Sequence, residues 1–247
     1  MAGSGVTSTK RAGDFLCGSC PGTVLHASRI LNIPLDIIHA VEINKVKAEA
    51  LKKRLSKIEG PSKIKVWPND ILEVSQTIAN DLKKKTTSFI VIDPQGLHGM
   101  TWKGISPLLR CKGDAMLTWF EHEAWRVRCA AKAEHSATEG QRNRLNELIG
   151  SMDWTKTKSP NELTDLFVNR VLDECGKSYE ARVKIQRQEG GYYLMILFTG
   201  EFPNAEKLAK DWKRRLEVRI NSVHGREISS LLDVKAGRIS SLDDFLI

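Results

Sequence analysis

Residues 63–94 read KIKVWPNDILEVSQTIANDLKKKTTSFIVIDP, and this stretch decides the fold class. Lys63–Trp67 alternates apolar and polar side chains, which predicts a strand. An amphipathic helix follows, whose apolar stripe is Ile71, Val74, Ile78 and Leu82. Ser88–Ile92 is a nearly continuous apolar run, typical of a strand in a sheet covered on both faces. A strand, a helix and a second strand in this order predict a parallel α/β sheet.

The alternation of strands and helices extends in both directions along the chain. The remaining predicted elements are a strand over Leu35–Val41, a helix over Lys45–Ile58, a helix over Ile105–Leu109, a strand over Asp114–Phe120, and helices over Glu121–Glu134, Gln141–Ile149, Asn161–Cys175 and Ala205–Ile220. Two further strands, Tyr179–Gln186 and Tyr192–Phe198, flank a Gly-Gly turn and predict a β-hairpin. We expect an α/β fold: a Rossmann-like, mostly parallel sheet with flanking helices and a C-terminal antiparallel hairpin.

The chain length suits one principal domain with a short appendage. We place this domain at residues 1–227, with a helical insertion around residues 121–158, and a weakly patterned C-terminal tail at residues 228–247. The 247 residues include 41% hydrophobic and 28% charged side chains, a balance that excludes wholesale disorder.

Composition also limits the compartment and the partners. No apolar run approaches the roughly 20 residues that span a bilayer, and Met1–Arg11 lacks the apolar segment of a secretory signal. Five cysteines are too few for a disulfide framework in a chain of this length, so we expect a cytoplasmic protein without a membrane partner. The net charge of +8 is compatible with nucleic acid, although a solvated helix face explains most of it.

Two of the cysteines have a spacing with functional alternatives. Cys17 and Cys20 form a Cys-x-x-Cys pair, which is found in redox sites and in halves of zinc sites. A structural zinc needs four ligands, and no second Cys-x-x-Cys exists in the chain. We therefore expect two ordinary loop thiols and no metal site.

Acidic residues follow three successive predicted strands. Glu42 comes after the first strand, Asn69 and Asp70 after the second, and Asp93-Pro94 after the third. Open α/β sheets bind ligands beyond the carboxyl ends of their strands, so the three acids together indicate a nucleoside-type ligand. Each acid has a simpler alternative as a helix cap or a loop residue, and for Asp70 the two interpretations have equal weight.

The position of each acid suggests a role. A carboxylate at Glu42 accepts hydrogen bonds from ribose hydroxyls, and one at Asp70 accepts from the exocyclic amine of adenine. Asp93 lies where a carboxylate can orient an incoming nucleophile. A glycine loop is also required close to the ligand, and both Gly18–Gly22 and Gly3–Gly5 are weak candidates for it.

Several segments, taken in order, resemble one family. They are Ala2-Gly3-Ser4-Gly5, Pro21-Gly22-Thr23-Val24-Leu25, Glu42, Asp93-Pro94-Gln95-Gly96, Leu145–Trp154 and Tyr192-Tyr193-Leu194. This pattern resembles the three-Cys-motif partner family, relatives of the Rossmann-like class I S-adenosylmethionine methyltransferases. The resemblance covers about residues 1–215 and depends on all of these segments together.

The resemblance implies S-adenosylmethionine as cofactor and a protein partner with a three-Cys motif. The catalytic residues that it implies are Asp93, Pro94 and Gln95. The resemblance and the rule of acids after strands together predict the cofactor-binding residues Gly3, Ser4, Gly5, Glu42, Ile43, Asn69, Asp70 and Ile71. The family pattern has an aromatic residue at the position of Gln95 and a strand before the glycine loop. We therefore expect a truncated first strand here.

Two functions follow from these patterns. The first is an S-adenosylmethionine-dependent methyltransferase whose acceptor the sequence leaves open, with nucleic acid among the candidates. The second is a non-catalytic adaptor of the same fold that binds a protein partner or nucleic acid. Neither interpretation specifies an oligomeric state.

Overall fold

A computed structural model describes residues 35–56, 63–82, 87–94, 96–132, 139–186 and 191–223. Within these ranges six strands and seven α-helices form a mixed α/β architecture. In chain order they are β1 (Ile37–Val41), α1 (Lys45–Leu55), β2 (Lys63–Trp67), α2 (Ile71–Leu82), β3 (Ser88–Ile92), α3 (Trp102–Leu109), β4 (Gly113–Trp119), α4 (Glu121–Lys132), α5 (Glu139–Ile149), α6 (Pro160–Cys175), β5 (Tyr179–Gln186), β6 (Tyr192–Thr199) and α7 (Ala205–Val223). Two short 3-10 helices, Leu97–Gly99 and Asp153–Lys156, complete the elements.

The described residues divide into two compact units. Residues 70–215 form the larger unit, and residues 35–69 with 216–223 form the smaller unit. None of the helices in the described ranges is both long and apolar enough to cross a membrane.

The smaller unit contains a strand, a helix and a second, parallel strand. β1 and β2 pair in parallel, with Ile37 opposite Lys63 and Val41 opposite Trp67. The helix α1 connects them and begins at Asn44, whose side chain accepts a hydrogen bond from the backbone N–H of Lys47. Apolar side chains at helical and strand spacing meet in a small core formed by Ala40, Leu51 and Leu55 with Ile38, Ile64 and Val66.

The larger unit contains a four-stranded mixed sheet in the order β3-β4-β6-β5. β3 and β4 are parallel, whereas β6 pairs antiparallel with both β4 and β5. The antiparallel pairing of the two predicted hairpin strands is therefore confirmed, whereas residues 187–190 of the turn between them lie outside the described residues. The prediction of one mostly parallel sheet is met only in part, because the parallel pairs lie in two sheets and β6 is inserted antiparallel beside β4.

One face of this sheet packs against α6. The helix carries the predicted stripe Leu163, Phe167, Val171 and Cys175, and all four side chains are buried. Phe167 stacks on Trp119 of β4, with ring centroids 4.4 Å apart, and meets the edge of Trp102 on α3. These aromatic contacts join α3, β4 and α6 into one core.

The position of β3 differs from the prediction. Its apolar run predicts a strand covered on both faces, but β3 is the end strand of the four-stranded sheet and Phe89 is 57% exposed. Ile90, the next residue, points to the opposite face and is buried. An apolar run indicates that a strand exists, but the elements that pack on each face of the sheet decide how much of the strand is covered.

Candidate functional site

The carboxyl edge of the β1–β2 pair holds Glu42 and Asn69. Glu42 follows β1 directly, and its backbone N–H donates to the carbonyl of Trp67 at 3.0 Å. Its side chain is only 4% exposed, and Oε1 accepts the backbone N–H of Asn44 at 2.9 Å. Ile43, between these two residues, is exposed. The predicted ribose-binding carboxylate is therefore at a strand end and held firmly, and its ligand role stays a prediction.

Asp70 acts as a helix cap in the structure. Its Oδ1 accepts the backbone N–H of Leu72 at 2.9 Å, and its carbonyl accepts the N–H of Glu73 at 3.1 Å. These bonds satisfy amide groups in the first turn of α2, where Ile71 is the first residue and is half-buried. The simpler of the two alternatives for Asp70 thus describes its contacts, and adenine binding stays a prediction.

Asp93 follows β3 and is held by the neighbouring strand. The hydroxyl of Thr118, on β4, donates to Oδ1 of Asp93 at 2.7 Å. Asp93 is exposed, whereas Pro94 is buried and fixes the direction in which the chain leaves the strand. A carboxylate at the end of one parallel strand is therefore oriented by a hydroxyl near the end of the next.

Four of the predicted site residues cannot be placed. Gly3, Ser4, Gly5 and Gln95 lie outside the described residues. The two edges that the structure does describe belong to different units. Glu42 and Asn69 belong to the smaller unit, whereas Asp70 and Asp93 belong to the larger one.

Sequence reasoning missed a fourth carboxylate at a strand end, Glu121. It is the first residue of α4, directly after Phe120, and only 5% exposed. The hydroxyl of Thr164 donates to its Oε1 at 2.7 Å, and the phenol of Tyr192 donates to its Oε2. Trp119 Nε1 in turn donates to Thr164 Oγ1 at 2.9 Å. The rule that selected Asp93, an acid after an apolar strand, also selects Glu121.

The carboxyl edge of β3 and β4 therefore carries two carboxylates in different settings. Asp93 is exposed and accepts from one hydroxyl, whereas Glu121 is buried and accepts from two. A buried carboxylate is stabilised when hydrogen bonds replace its hydration, so Glu121 is suited to hold Tyr192 and Thr164 in place. The exposed Asp93 is the better candidate for contact with a substrate.

Burial and the Glu121 carboxylate raise the pKa of Tyr192 to about 12. In the unfolded chain the phenol has its ordinary pKa of 10.0. Between these two values the unfolded state loses the proton while the folded state keeps it, so stability falls as the pH rises. We expect Tyr192→Phe to reduce the slope of this alkaline loss of stability, measured as unfolding free energy in urea from pH 9.5 to about 12.

The same measurement includes an internal comparison. Burial also raises the pKa of the Cys175 thiol from 9.0 to about 11, and this contribution is present in both proteins. In Tyr192→Phe, only the part of the alkaline loss of stability that is due to Tyr192 should disappear. An unchanged slope in Tyr192→Phe would show that the Tyr192–Glu121 contact does not control the alkaline stability.

Among the described residues, no group of three or more histidine, cysteine, aspartate or glutamate side chains is placed to hold a metal ion. The chemistry available at the two edges is that of carboxylates, an amide and hydroxyls, which bind by accepting and donating hydrogen bonds. A scan against protein-family models found no match, and a search of curated proteins found no similar sequence.

Proposed function

We propose that this protein is an S-adenosylmethionine-dependent methyltransferase with a Rossmann-like architecture. The β1-α1-β2 segment is a parallel pair joined by a helix, and β3 and β4 form a second parallel pair with α3 in between. Such units build the open α/β sheets that bind nucleosides at their carboxyl edges. The resemblance to the three-Cys-motif partner family supports the same class.

The single observation that carries the proposal is the geometry of Asp93. A carboxylate placed directly after a parallel strand, and oriented by Thr118 of the adjacent strand, is a positioned hydrogen-bond acceptor at the edge where substrates bind. Its exposure leaves it accessible to an acceptor molecule.

The residues at the β1–β2 edge fit the adenosine part of the cofactor by their chemistry. The carboxylate of Glu42 accepts hydrogen bonds, which ribose hydroxyls donate, and the amide of Asn69 both donates and accepts. When bound, S-adenosylmethionine supplies an activated methyl group.

The reaction needs little from the protein beyond alignment and proton transfer. A nitrogen or oxygen of the acceptor forms the new bond to the methyl carbon while the carbon–sulfur bond breaks. The Asp93 carboxylate would accept a hydrogen bond from the acceptor and take up the proton that the acceptor releases, while bound S-adenosylmethionine would supply the methyl group. Holding the acceptor in line supplies most of the rate enhancement. The nature of the acceptor, with nucleic acid as one candidate, is part of the proposal.

Isothermal titration with S-adenosylhomocysteine tests the cofactor half of this proposal. We expect the protein to bind it, and Glu42→Gln to weaken binding by about tenfold or more, because a hydrogen bond to a charged group is replaced by a neutral one. Glutamine keeps an acceptor oxygen for the N–H of Asn44, so the turn should survive. Equilibrium dialysis with the labelled compound gives an independent affinity.

The matched control is Glu49→Gln, which removes an exposed acid from α1 in the same unit. It should leave the affinity unchanged. No detectable binding to the wild-type protein would remove the methyltransferase proposal. Equal affinities in Glu42→Gln and wild type would remove Glu42 from the site and leave the activity open.

A second function, a non-catalytic adaptor for nucleic acid or a protein partner with a three-Cys motif, is favoured by the surface of α1. This helix has no acidic residue in its first turn and exposes four lysines, Lys45, Lys47, Lys52 and Lys53. Binding to RNA that weakens steeply with salt, without binding of S-adenosylhomocysteine, would identify this function. Partner binding should then be insensitive to Glu42→Ala.

A further inference from the structure

Arg128 is a buried cation on the inward face of α4. The buried residues of this helix are Glu121, Ala124, Arg128 and Ala131, which recur at helical spacing. Arg128 is only 8% exposed, although arginine is rarely buried unless it is paired. Its position is two turns along the helix from Glu121, so it lies away from the edge that carries Asp93.

No acidic side chain in the described ranges satisfies Arg128. Its Nε is fully enclosed and has no hydrogen-bond acceptor there, and the contact that its guanidinium makes is with the ring of Trp125, at 4.7 Å. The residues of α4 that lie one turn from Arg128 are Ala124, Trp125, Ala131 and Lys132, and none of them is acidic. Glu121 is already bonded to Thr164 and Tyr192.

The neighbouring helix α5 carries two acids, Glu139 and Glu147, beside its two arginines, and Glu147 pairs with Arg144 at 3.7 Å instead of with Arg128. α5 packs along α4, and Arg142 of α5 donates from Nε to the carbonyl of Ala131 at 3.3 Å. Removing a guanidinium from water without an anionic partner costs more free energy than contact with one aromatic ring returns. The Nε donor of Arg128 is therefore enclosed without a hydrogen-bond acceptor among the described residues.

We propose that Arg128 anchors an oxyanion-binding site on α4, and that its ligand is a phosphate group. The planar guanidinium presents several N–H donors in a fixed fork that matches phosphate oxygens. The ring of Trp125 packs against one side of the guanidinium. The small side chains of Ala124 and Ala131 flank it on the same helix face. This site is separate from the proposed cofactor and acceptor edges and does not depend on the methyltransferase activity.

Thermal unfolding of the full chain in sodium phosphate, compared with sodium chloride at equal ionic strength, tests the site. We expect phosphate to raise the melting temperature of the wild-type protein, because a ligand that binds only the folded state stabilises it. Arg128→Met should lose this response. In chloride it should melt above the wild type, because an apolar side chain of similar length replaces an unpaired buried charge.

Arg126→Met is the matched control, since Arg126 lies on the same helix and is exposed. It should keep the full phosphate response. The proposal is overturned if phosphate does not stabilise the wild type, if Arg128→Met keeps the response, or if Arg128→Met melts below the wild type in chloride. The last result would make Arg128 a packing residue.

Titration calorimetry with inorganic phosphate gives the affinity independently of the melting temperatures. Arg128→Lys keeps the charge but loses the fork, so we expect the affinity for phosphate to fall by about tenfold or more.

A second titration uses a short single-stranded oligonucleotide in place of inorganic phosphate. Tighter binding of the oligonucleotide, lost in Arg128→Lys, assigns the site to a nucleic-acid backbone, and equal or weaker binding assigns it to free phosphate. Undiminished phosphate binding by Arg128→Lys would overturn the site.

Discussion

Gly113→Ala is expected to lower the unfolding free energy of the larger unit by about 4 kcal/mol or more, a loss that point mutations reach only through a few specific mechanisms, of which a steric clash is one. Gly113 begins β4 with φ of +116°, and a Cβ there would lie 2.0 Å from the backbone oxygen of Ser88. The neighbouring atom is backbone, so no side chain can move to relieve the overlap. Urea denaturation followed by circular dichroism measures the loss.

The control for Gly113 separates crowding from backbone conformation. Gly176, at the end of α6, also has a positive φ, of +63°, but a Cβ there meets nothing within 4 Å. Gly176→Ala should therefore cost only about 1 kcal/mol, the price of a left-handed conformation for a residue with a side chain. If both variants lose the same stability, close approach of β3 and β4 at Gly113 is not a constraint.

Phe167→Ala should cost about 4 kcal/mol, because it leaves a cavity in the centre of the larger unit. Phe167 is fully buried, stacks on Trp119 at an interplanar angle of 17°, and contacts the edge of Trp102. The lost aromatic contacts add to the transfer free energy of the ring. The midpoint of urea unfolding, at unchanged dependence on denaturant, gives the value.

An exposed phenylalanine of the same unit is the comparison for this prediction. Phe202, in the turn before α7, is 39% exposed, and Phe202→Ala should cost less than about 1 kcal/mol. A cost for Phe167→Ala no larger than that for Phe202→Ala would contradict the central position of Phe167 in the core.

The helices and strands were predictable where the pattern of apolar residues was strong. The strands Lys63–Trp67 and Ser88–Ile92 have the predicted bounds, and the stripe on Asn161–Cys175 is buried as expected. These features depend on the spacing of neighbouring residues, which the chain determines locally. Helix ends were less accurate, since α5 begins at Glu139 and α3 at Trp102, before the apolar residues that predicted them.

The candidate site was predictable only in its simplest part, the occurrence of acids after strands. That rule placed Glu42 and Asp93 correctly at strand ends, but it did not show that Asp70 is occupied as a cap of α2. The rule applies equally to Glu121, but the polar residues that follow Glu121 indicate an ordinary exposed helix, so the sequence alone does not mark it as buried. The buried state of Glu121 depends on Thr164 and Tyr192, which no local pattern connects with it.

Local order along this chain thus follows from its amino acids alone, because hydrophobic period and turn residues act over a few positions. Contacts between distant residues required the folded structure. The bond between Thr118 and Asp93 spans 25 positions, and the bond between Tyr192 and Glu121 spans 71. Both exist because β4 lies between β3 and β6, and that order results from the packing of whole strands and helices, which the spacing of neighbouring residues does not specify.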